Sequence, residues 1–146
     1  MDPIKNFWIG IKAVVINNQG KALVLKLKDQ QGNAFWDFAG GRIINDENVF
    51  DTLKREVMEE LPEITEMNIK GPIFASRLEK DLTNGNGLFL VFFRVDVNIQ
   101  TITQMTEHSD HKWVDFQEAI NLCLEKNTYI SPSYLGALIK SLSVNN

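Results

Sequence analysis

Near the N-terminus, apolar residues recur at every second position, a period typical of a β-strand with one buried face. This pattern predicts a β-hairpin over residues 7–28. Its turn is expected at Asn17-Asn18-Gln19-Gly20, because Asn and Gly tolerate a positive φ. A polar loop over 29–33 and a short aromatic strand over 35–38 follow. We expect Gly40-Gly41 to break that strand.

The period then changes to one that is typical of a helix. Apolar residues recur at every fourth position and form one stripe, namely Val49, Leu53, Val57 and Leu61. Asn45 or Asp46 is expected to cap the N-terminus of this helix, and Pro62 is expected to stop it after Leu61.

The second half of the chain contains more strands and two further helices. Strands are predicted over 64–69, 73–80, 88–97 and 112–115, with a hairpin turn at Asn84-Gly85-Asn86-Gly87. One helix is predicted over 116–126, with its inward residues being Ala119, Ile120, Cys123 and Leu124. The last helix is expected to run from Ser131 or Ser133 through Leu142, with Pro132 in its first turn. This order of elements predicts an α+β fold, a mixed β-sheet flanked by helices, in a single domain over 1–146.

Composition and charge narrow the functional classes. The length of 146 residues, 44% hydrophobic residues and 23% charged residues are typical of one globular domain. The net charge of −4 argues against a protein that binds duplex nucleic acid. The chain has no apolar run long enough to span a membrane and no N-terminal signal-peptide pattern. The lone Cys123 cannot form an internal disulfide, so we expect a reducing compartment, the cytoplasm.

Three acidic residues give the first helix its chemical interest. At about 100° per residue, Glu56, Glu59 and Glu60 fall within an arc of roughly 100°. Like charges on one helix face repel each other, so a bound cation would stabilise them. Hard divalent cations such as Mg²⁺ take carboxylate oxygens together with water and substrate phosphates. The alternative is a solvated acidic face supported by Lys54 and Arg55.

The spacing around these glutamates resembles the signature of the Nudix (MutT-like) hydrolase superfamily. Its pattern is Gly, five residues, Glu, seven residues and then Arg-Glu-apolar-x-Glu-Glu, and the matching residues here are Gly41, Glu47, Arg55, Glu56, Val57, Glu59 and Glu60. The preceding segment from Trp36 to Gly41 is similar to the Trp-x-x-Pro-Gly-Gly segment of the family. The chain departs from the family at Ala39, at Pro62, where a Gly is usual, and at Glu63, where an apolar residue is usual. These departures lie outside the carboxylate face.

The resemblance implies a Nudix-type α/β/α sandwich that hydrolyses a nucleoside diphosphate linked to another group. In that family water attacks phosphorus, and Mg²⁺ or Mn²⁺ stabilises the charge. Carried onto this sequence, Glu56, Glu59 and Glu60 are the metal ligands, and one of them could also deprotonate the water. Arg55 would orient Glu56.

The resemblance also implies supporting residues around the carboxylates. Glu47 would contact Arg55, and Gly40 and Gly41 would let the chain turn beside the metal. A distant acidic residue often completes such sites. Glu107 is our candidate for the general base, so the implied catalytic set is Glu56, Glu59, Arg55 and Glu107.

Several candidates beside this set remain open. Asp110 is an alternative to Glu107, His111 could move a proton, and a zinc site at His108 and His111 is a further alternative. Aromatic and cationic side chains could contact the substrate, and the candidates are Trp36, Arg42 and Arg77, with Trp8, Phe35 and Lys26 behind them. Each of these side chains could equally belong to the core or to the solvated surface.

The expected partner is a nucleotide-type small molecule, by default a nucleoside triphosphate or a related nucleotide. No nucleic acid duplex or membrane is expected, and the oligomeric state, a homodimer included, stays open. One alternative is a non-catalytic nucleotide-binding module that kept the fold. Another is an isomerase of isoprenoid diphosphates, which would need an active-site cysteine, whereas Cys123 lies on a late predicted helix.

Overall fold

Strands and helices fill most of residues 2–28, 32–99, 110–124 and 132–142, which are the residues that the computed structural model describes. The strands are β1 (Phe7–Ile16), β2 (Ala22–Lys28), β3 (Ala34–Asp37), β4 (Ala39–Arg42), β5 (Asn68–Arg77), β6 (Gly87–Asp96) and β7 (Asp110–Val114). The helices are α1 (Val49–Glu60), α2 (Phe116–Leu124) and α3 (Pro132–Leu142). None of these helices is long and apolar enough to cross a bilayer.

The sheet is built around β1. This strand runs parallel to β6 over its whole length, from Phe7 opposite Gly87 to Ile16 opposite Asp96. Its other edge has two antiparallel partners, since β4 pairs with Gly10–Ala13 and β2 pairs with Ile16. The predicted hairpin is therefore confirmed at its turn, but β2 then leaves β1 and pairs with β3 and β7.

Helices cover both faces of this mixed sheet, as predicted. On one face, Leu53, Val57 and Leu61 of the α1 stripe pack in a buried cluster with Ile11 and other residues of odd number in β1. On the opposite face, residues of even number in β1 pack with α2 and α3 in a second buried cluster that includes Val14, Phe92, Ala119 and Leu138. The two clusters are separated by the sheet, so a residue's position in the strand period decides which helix layer it faces.

Three predicted details are wrong. Gly40 and Gly41 were expected to interrupt strand structure, but they lie within β4, opposite Lys12 and Ile11. The N-cap of α1 is Asn48, whose extended backbone lets its side chain accept a 2.9 Å hydrogen bond from the Asp51 N–H. Asn45 instead has a φ of 51°, which suits a turn.

The third wrong detail concerns the segment before β5. Residues 64–67 are not a strand, although Ile64 is buried beneath α1. Residues 68–77 form one strand, β5, which pairs antiparallel with β6 and contains an irregularity between Lys70 and Phe74. The apolar side chains of this segment are explained by burial in the core rather than by strand pairing.

Candidate active site

Two glutamates of α1 face the two glycines of β4. The Gly40 N–H donates a 3.1 Å hydrogen bond to Glu60 Oε2, and Glu60 is only 4% exposed. A methyl group on Gly41 would overlap the Glu56 carboxylate, so an alanine there would displace that carboxylate from its present position. Gly40 has a φ of 150°, and a side chain there would overlap the Ile11 carbonyl oxygen. The two glycines thus let the β4 backbone lie directly against the carboxylates of Glu56 and Glu60.

Arg55 connects the carboxylates of this helix with the loop before it. Its Nε and Nη2 donate to the two oxygens of Glu47, at 2.6 and 2.9 Å. Its Nη1 donates to Glu56 at 2.7 Å and to Glu59 at 3.4 Å, and Nη2 also donates to the Arg42 carbonyl at 3.2 Å. A planar guanidinium can make these contacts together, and it fixes the direction of Glu56.

Glu47 and Glu56 respond to this cation differently. Hydrogen bonding from Arg55 lowers the pKa of Glu47 from 4.5 to about 2, and burial opposes this shift. Burial raises the pKa of Glu56 above its ordinary value, and the Glu60 and Glu59 charges add to the rise while Arg55 opposes it. The cost of keeping Glu56 ionised would be reduced by a further cation beside it.

The carboxylate oxygens of Glu56 and Glu60 are suited to a hard divalent cation that also binds a phosphate-bearing substrate. Within the described ranges, no three acidic, His or Cys side chains converge into a metal-binding cluster. Glu59 lies to the side, with a side chain that is 54% exposed and directed to Arg55. Glu56 and Glu60 remain as two carboxylates at one place, and Mg²⁺ typically takes one or two carboxylates and completes its shell with water and phosphate.

A cavity of about 300 Å³ begins at Gly41, on the face of the sheet that α3 covers. Its lining is mostly apolar or aromatic and includes Phe35, Leu78, Leu88, Leu90 and Tyr134. Pockets that bind small molecules start at about this size and are similarly apolar with a few polar groups. Gly41 therefore borders both this cavity and the Glu56 carboxylate.

The predicted substrate contacts lie in different places. Arg42 lines the cavity, and its guanidinium lies 4.5 Å from the Trp8 ring centre. Trp36 does not line the cavity but packs against the second buried cluster, with Lys26 5.8 Å from its ring. Arg77 does not line the cavity. It pairs with Asp81 at 3.1 Å and lies over the Phe7 ring.

The loop candidates are only partly within the described residues. Glu107 and His108 lie outside them, as does the side chain of Cys123. Asp110 begins β7, is exposed, and its side chain accepts a hydrogen bond from the His111 N–H. The roles suggested for Glu107 and Asp110 stay predictions.

Two charged residues of the cavity wall were not among the candidates taken from the sequence. Lys12 Nζ pairs with Asp37 Oδ2 at 2.9 Å, and both side chains line the cavity. The sequence offered one signal of this pair, which is that Lys12 lies inside an otherwise apolar strand pattern. A charge in such a strand is expected to be buried and therefore to need a partner. Nothing in the sequence identified Asp37 as that partner.

Known proteins share this sequence pattern and this fold. The family model for the NUDIX domain matches residues 7–134. Nudix hydrolase 2 of Arabidopsis thaliana is 31% identical over 116 residues, which are 77% of this chain and 41% of that protein. This chain thus spans less than half of that relative's length.

Solved structures agree at the level of the fold. The E. coli ORF135 protein has a TM-score of 0.74 at 22% identity, with 97% of this chain and 94% of that chain covered. A C. elegans Ap4A hydrolase in a binary complex has a TM-score of 0.73 at 18% identity, with 93% and 96% covered.

Proposed function

The chain belongs to the NUDIX domain family, and on that premise we propose that it is a hydrolase dependent on Mg²⁺ or Mn²⁺. Its substrate would be a nucleoside diphosphate linked to another group, by default a nucleoside triphosphate or a related nucleotide. Water would attack phosphorus and break the diphosphate bond. The observation that carries this proposal is that Glu56 and Glu60 lie against Gly41 and Gly40 of β4, and that Gly41 also lines the cavity.

Glu56 and Glu60 would hold the metal, with Glu59 as a further ligand at the exposed side. When bound, the metal would neutralise phosphate oxygens and acidify the attacking water. Arg55 orients Glu56 through a 2.7 Å hydrogen bond and holds Glu47 at the start of the helix. The Gly40 N–H fixes Glu60 in the same way. The protein thus supplies carboxylates whose directions are set before any ligand arrives.

The C. elegans neighbour is an Ap4A hydrolase by name, which supports a nucleotide-type substrate for this chain. We also propose a single domain over 1–146, because the two described core clusters share one sheet. A cytoplasmic location is supported by the single cysteine. The oligomeric state stays open.

The test measures phosphate and pyrophosphate release from nucleoside triphosphates, nucleotide sugars and dinucleotides, with and without Mg²⁺ or Mn²⁺. In parallel, the thermal midpoint is measured with Mn²⁺ alone, which should raise it because the ion binds the folded state. Glu60→Gln should abolish both effects. The matched control is Glu118→Gln, since Glu118 lies on α2 and pairs with Lys112 of β7, away from β4.

Turnover that is lost in Glu60→Gln but kept in Glu118→Gln would support the hydrolase. A Mn²⁺ shift without turnover of any compound would favour the non-catalytic nucleotide-binding module. An equal Mn²⁺ shift in wild type and Glu60→Gln would place the metal elsewhere.

A further inference from the structure

The cavity beside Gly41 contains an ion pair in a mostly apolar wall. Lys12 Nζ lies 2.9 Å from Asp37 Oδ2, and each side chain is only 14% exposed. Removing two charges from water is costly, and one mutual contact seldom offsets that cost. An ion pair in a cavity wall is therefore a feature that a polar ligand could use.

The backbone fixes the position of both members of the pair. Lys12 of β1 lies opposite Gly40 of β4 in the strand register. Asp37 ends β3, and its Oδ1 accepts a 2.7 Å hydrogen bond from the Phe38 N–H. The carboxylate therefore faces the cavity in one orientation rather than rotating freely.

Both groups keep hydrogen-bonding capacity for a ligand. An ammonium has three N–H donors, and within the described residues Asp37 is the one acceptor that Lys12 contacts. A carboxylate has about four lone-pair positions. Asp37 uses one on each oxygen, for Lys12 and for the Phe38 N–H. The wall thus presents donors next to two acceptor oxygens.

This order of groups matches one edge among the common nucleobases. Guanine presents a carbonyl, then an N–H, then an amino group. The carbonyl would accept from Lys12, and the other two would donate to the two oxygens of Asp37. Uracil would place a second carbonyl against the carboxylate, and adenine has no N–H between its amino group and C2. Cytosine satisfies Asp37 through its amino group alone.

We propose that Lys12 and Asp37 read the 2-amino-4-oxopyrimidine edge of the substrate, which makes the chain selective for guanine nucleotides. The same edge occurs in pterins, so the shared chemistry is the carbonyl, N–H and amino series. Phe35 and Tyr134 supply aromatic surface for the ring in the same cavity. This inference rests on the proposed function for the direction of the phosphates, which would run past Gly41 to the carboxylates of α1.

The first experiment needs no variant. It compares kcat/KM of the wild type for GTP, ITP, ATP, CTP and UTP with Mg²⁺, and includes dihydroneopterin triphosphate as the pterin arm. ITP differs from GTP only by the missing amino group. ITP leaves one oxygen of Asp37 without the amino group, so its kcat/KM should be about 10–100-fold lower than that of GTP. The kcat/KM values for ATP and UTP should be at least as low as that for ITP. A higher value for the pterin than for GTP would identify the source of the edge as a pterin.

Two variants separate the roles of the pair. Asp37→Asn should bring the GTP and ITP values to within about threefold of each other, because an NH₂ donor replaces one of the two acceptor oxygens and the negative charge is lost. Lys12→Met should lower GTP and ITP together by about tenfold, since both carry the carbonyl. The matched control is Lys70→Met, because Lys70 forms a similar 2.9 Å pair with Asp96 outside this cavity. That control should leave all the ratios unchanged.

Binding without turnover separates this inference from the proposed function. Calorimetry with GMP, IMP and AMP should give the order GMP, then IMP, then AMP, even if no triphosphate is hydrolysed. Preferential GMP binding without hydrolysis would overturn the hydrolase and keep the base reading. Hydrolysis with equal values for GTP, ITP and ATP, or a preference for another base, would overturn the base reading and keep the hydrolase.

Discussion

Replacing Arg55 with lysine tests whether the directions of the carboxylates, rather than their charge alone, support catalysis. The arginine donates to three carboxylates and to the Arg42 carbonyl at the same time. A lysine keeps the positive charge but has a single nitrogen, so it cannot hold Glu47 by two bonds and also reach Glu56.

The size of the effect follows from the bonds that are lost. Hydrogen bonds to charged groups contribute about 1.5–3 kcal/mol each when they are shielded. The Arg55 side chain is 24% exposed, so water replaces part of each bond and a loss of about 1–3 kcal/mol in unfolding free energy is expected. Moving a group that orients a metal ligand typically costs 10–100-fold in activity, or about 1.4–2.8 kcal/mol of transition-state stabilisation.

The assay combines urea unfolding with kcat and KM for the best substrate. Arg94→Lys is the control, because Arg94 also makes a two-nitrogen contact, with Asp96, and donates to the Ser141 carbonyl at 2.8 Å. Both variants should lose stability, but only Arg55→Lys should lose activity. If Arg55→Lys turns over substrate like Arg94→Lys, the contacts of Arg55 are structural and the reasoning is refuted.

Three further changes test other contacts of the site. The pKa of Glu47 is lowered from 4.5 to about 2, so its ionised form stabilises the fold fully above pH 4.5. That stability should be lost as the pH falls toward 2, and the urea midpoint of Glu47→Gln should vary less across this window. Gly41→Ala should reduce the Mn²⁺-induced thermal shift and lower kcat/KM at least about tenfold, because the methyl group displaces the Glu56 carboxylate; an unchanged shift would contradict that contact. Glu107→Gln should lower kcat at least ~10²-fold and Asp110→Asn less, and near wild-type turnover of Glu107→Gln across the pH range would assign the general base to another residue.

The sequence predicted most of the secondary structure, because local patterns decide it. Leu53, Val57 and Leu61 of the α1 stripe are buried as the helical period predicts, and β6 matches the predicted strand over 88–97 to within one residue at each end. The N-cap was missed because four consecutive polar residues, 45–48, precede the helix, and only the backbone angles distinguish Asn48 from Asn45.

What the sequence could not give depends on pairing between distant segments. Two adjacent glycines resemble a turn locally, but the contacts of Gly41 with Glu56 and with β1 keep it in a strand. Likewise, Lys12 and Asp37 lie 25 residues apart, and only the positions of β1 and β3 bring their charged atoms together. The local composition of either segment contains no information about the other.

Because β1 lies between β6 and β4, its pairing also limits the length of substrate that would fit the proposed site. Lys12 and Gly40 are opposite each other in the pairing of β1 with β4, so the proposed base contact and the residue that donates to Glu60 belong to one hydrogen-bonded ladder. The distance from the proposed base contacts to the carboxylates is therefore set by the pairing of the strands and not by side-chain rotamers that can adjust. A compound whose spacer between ring and phosphates is one bond longer or shorter would be misplaced along its whole length. We expect such a compound to be turned over slowly even where it binds well.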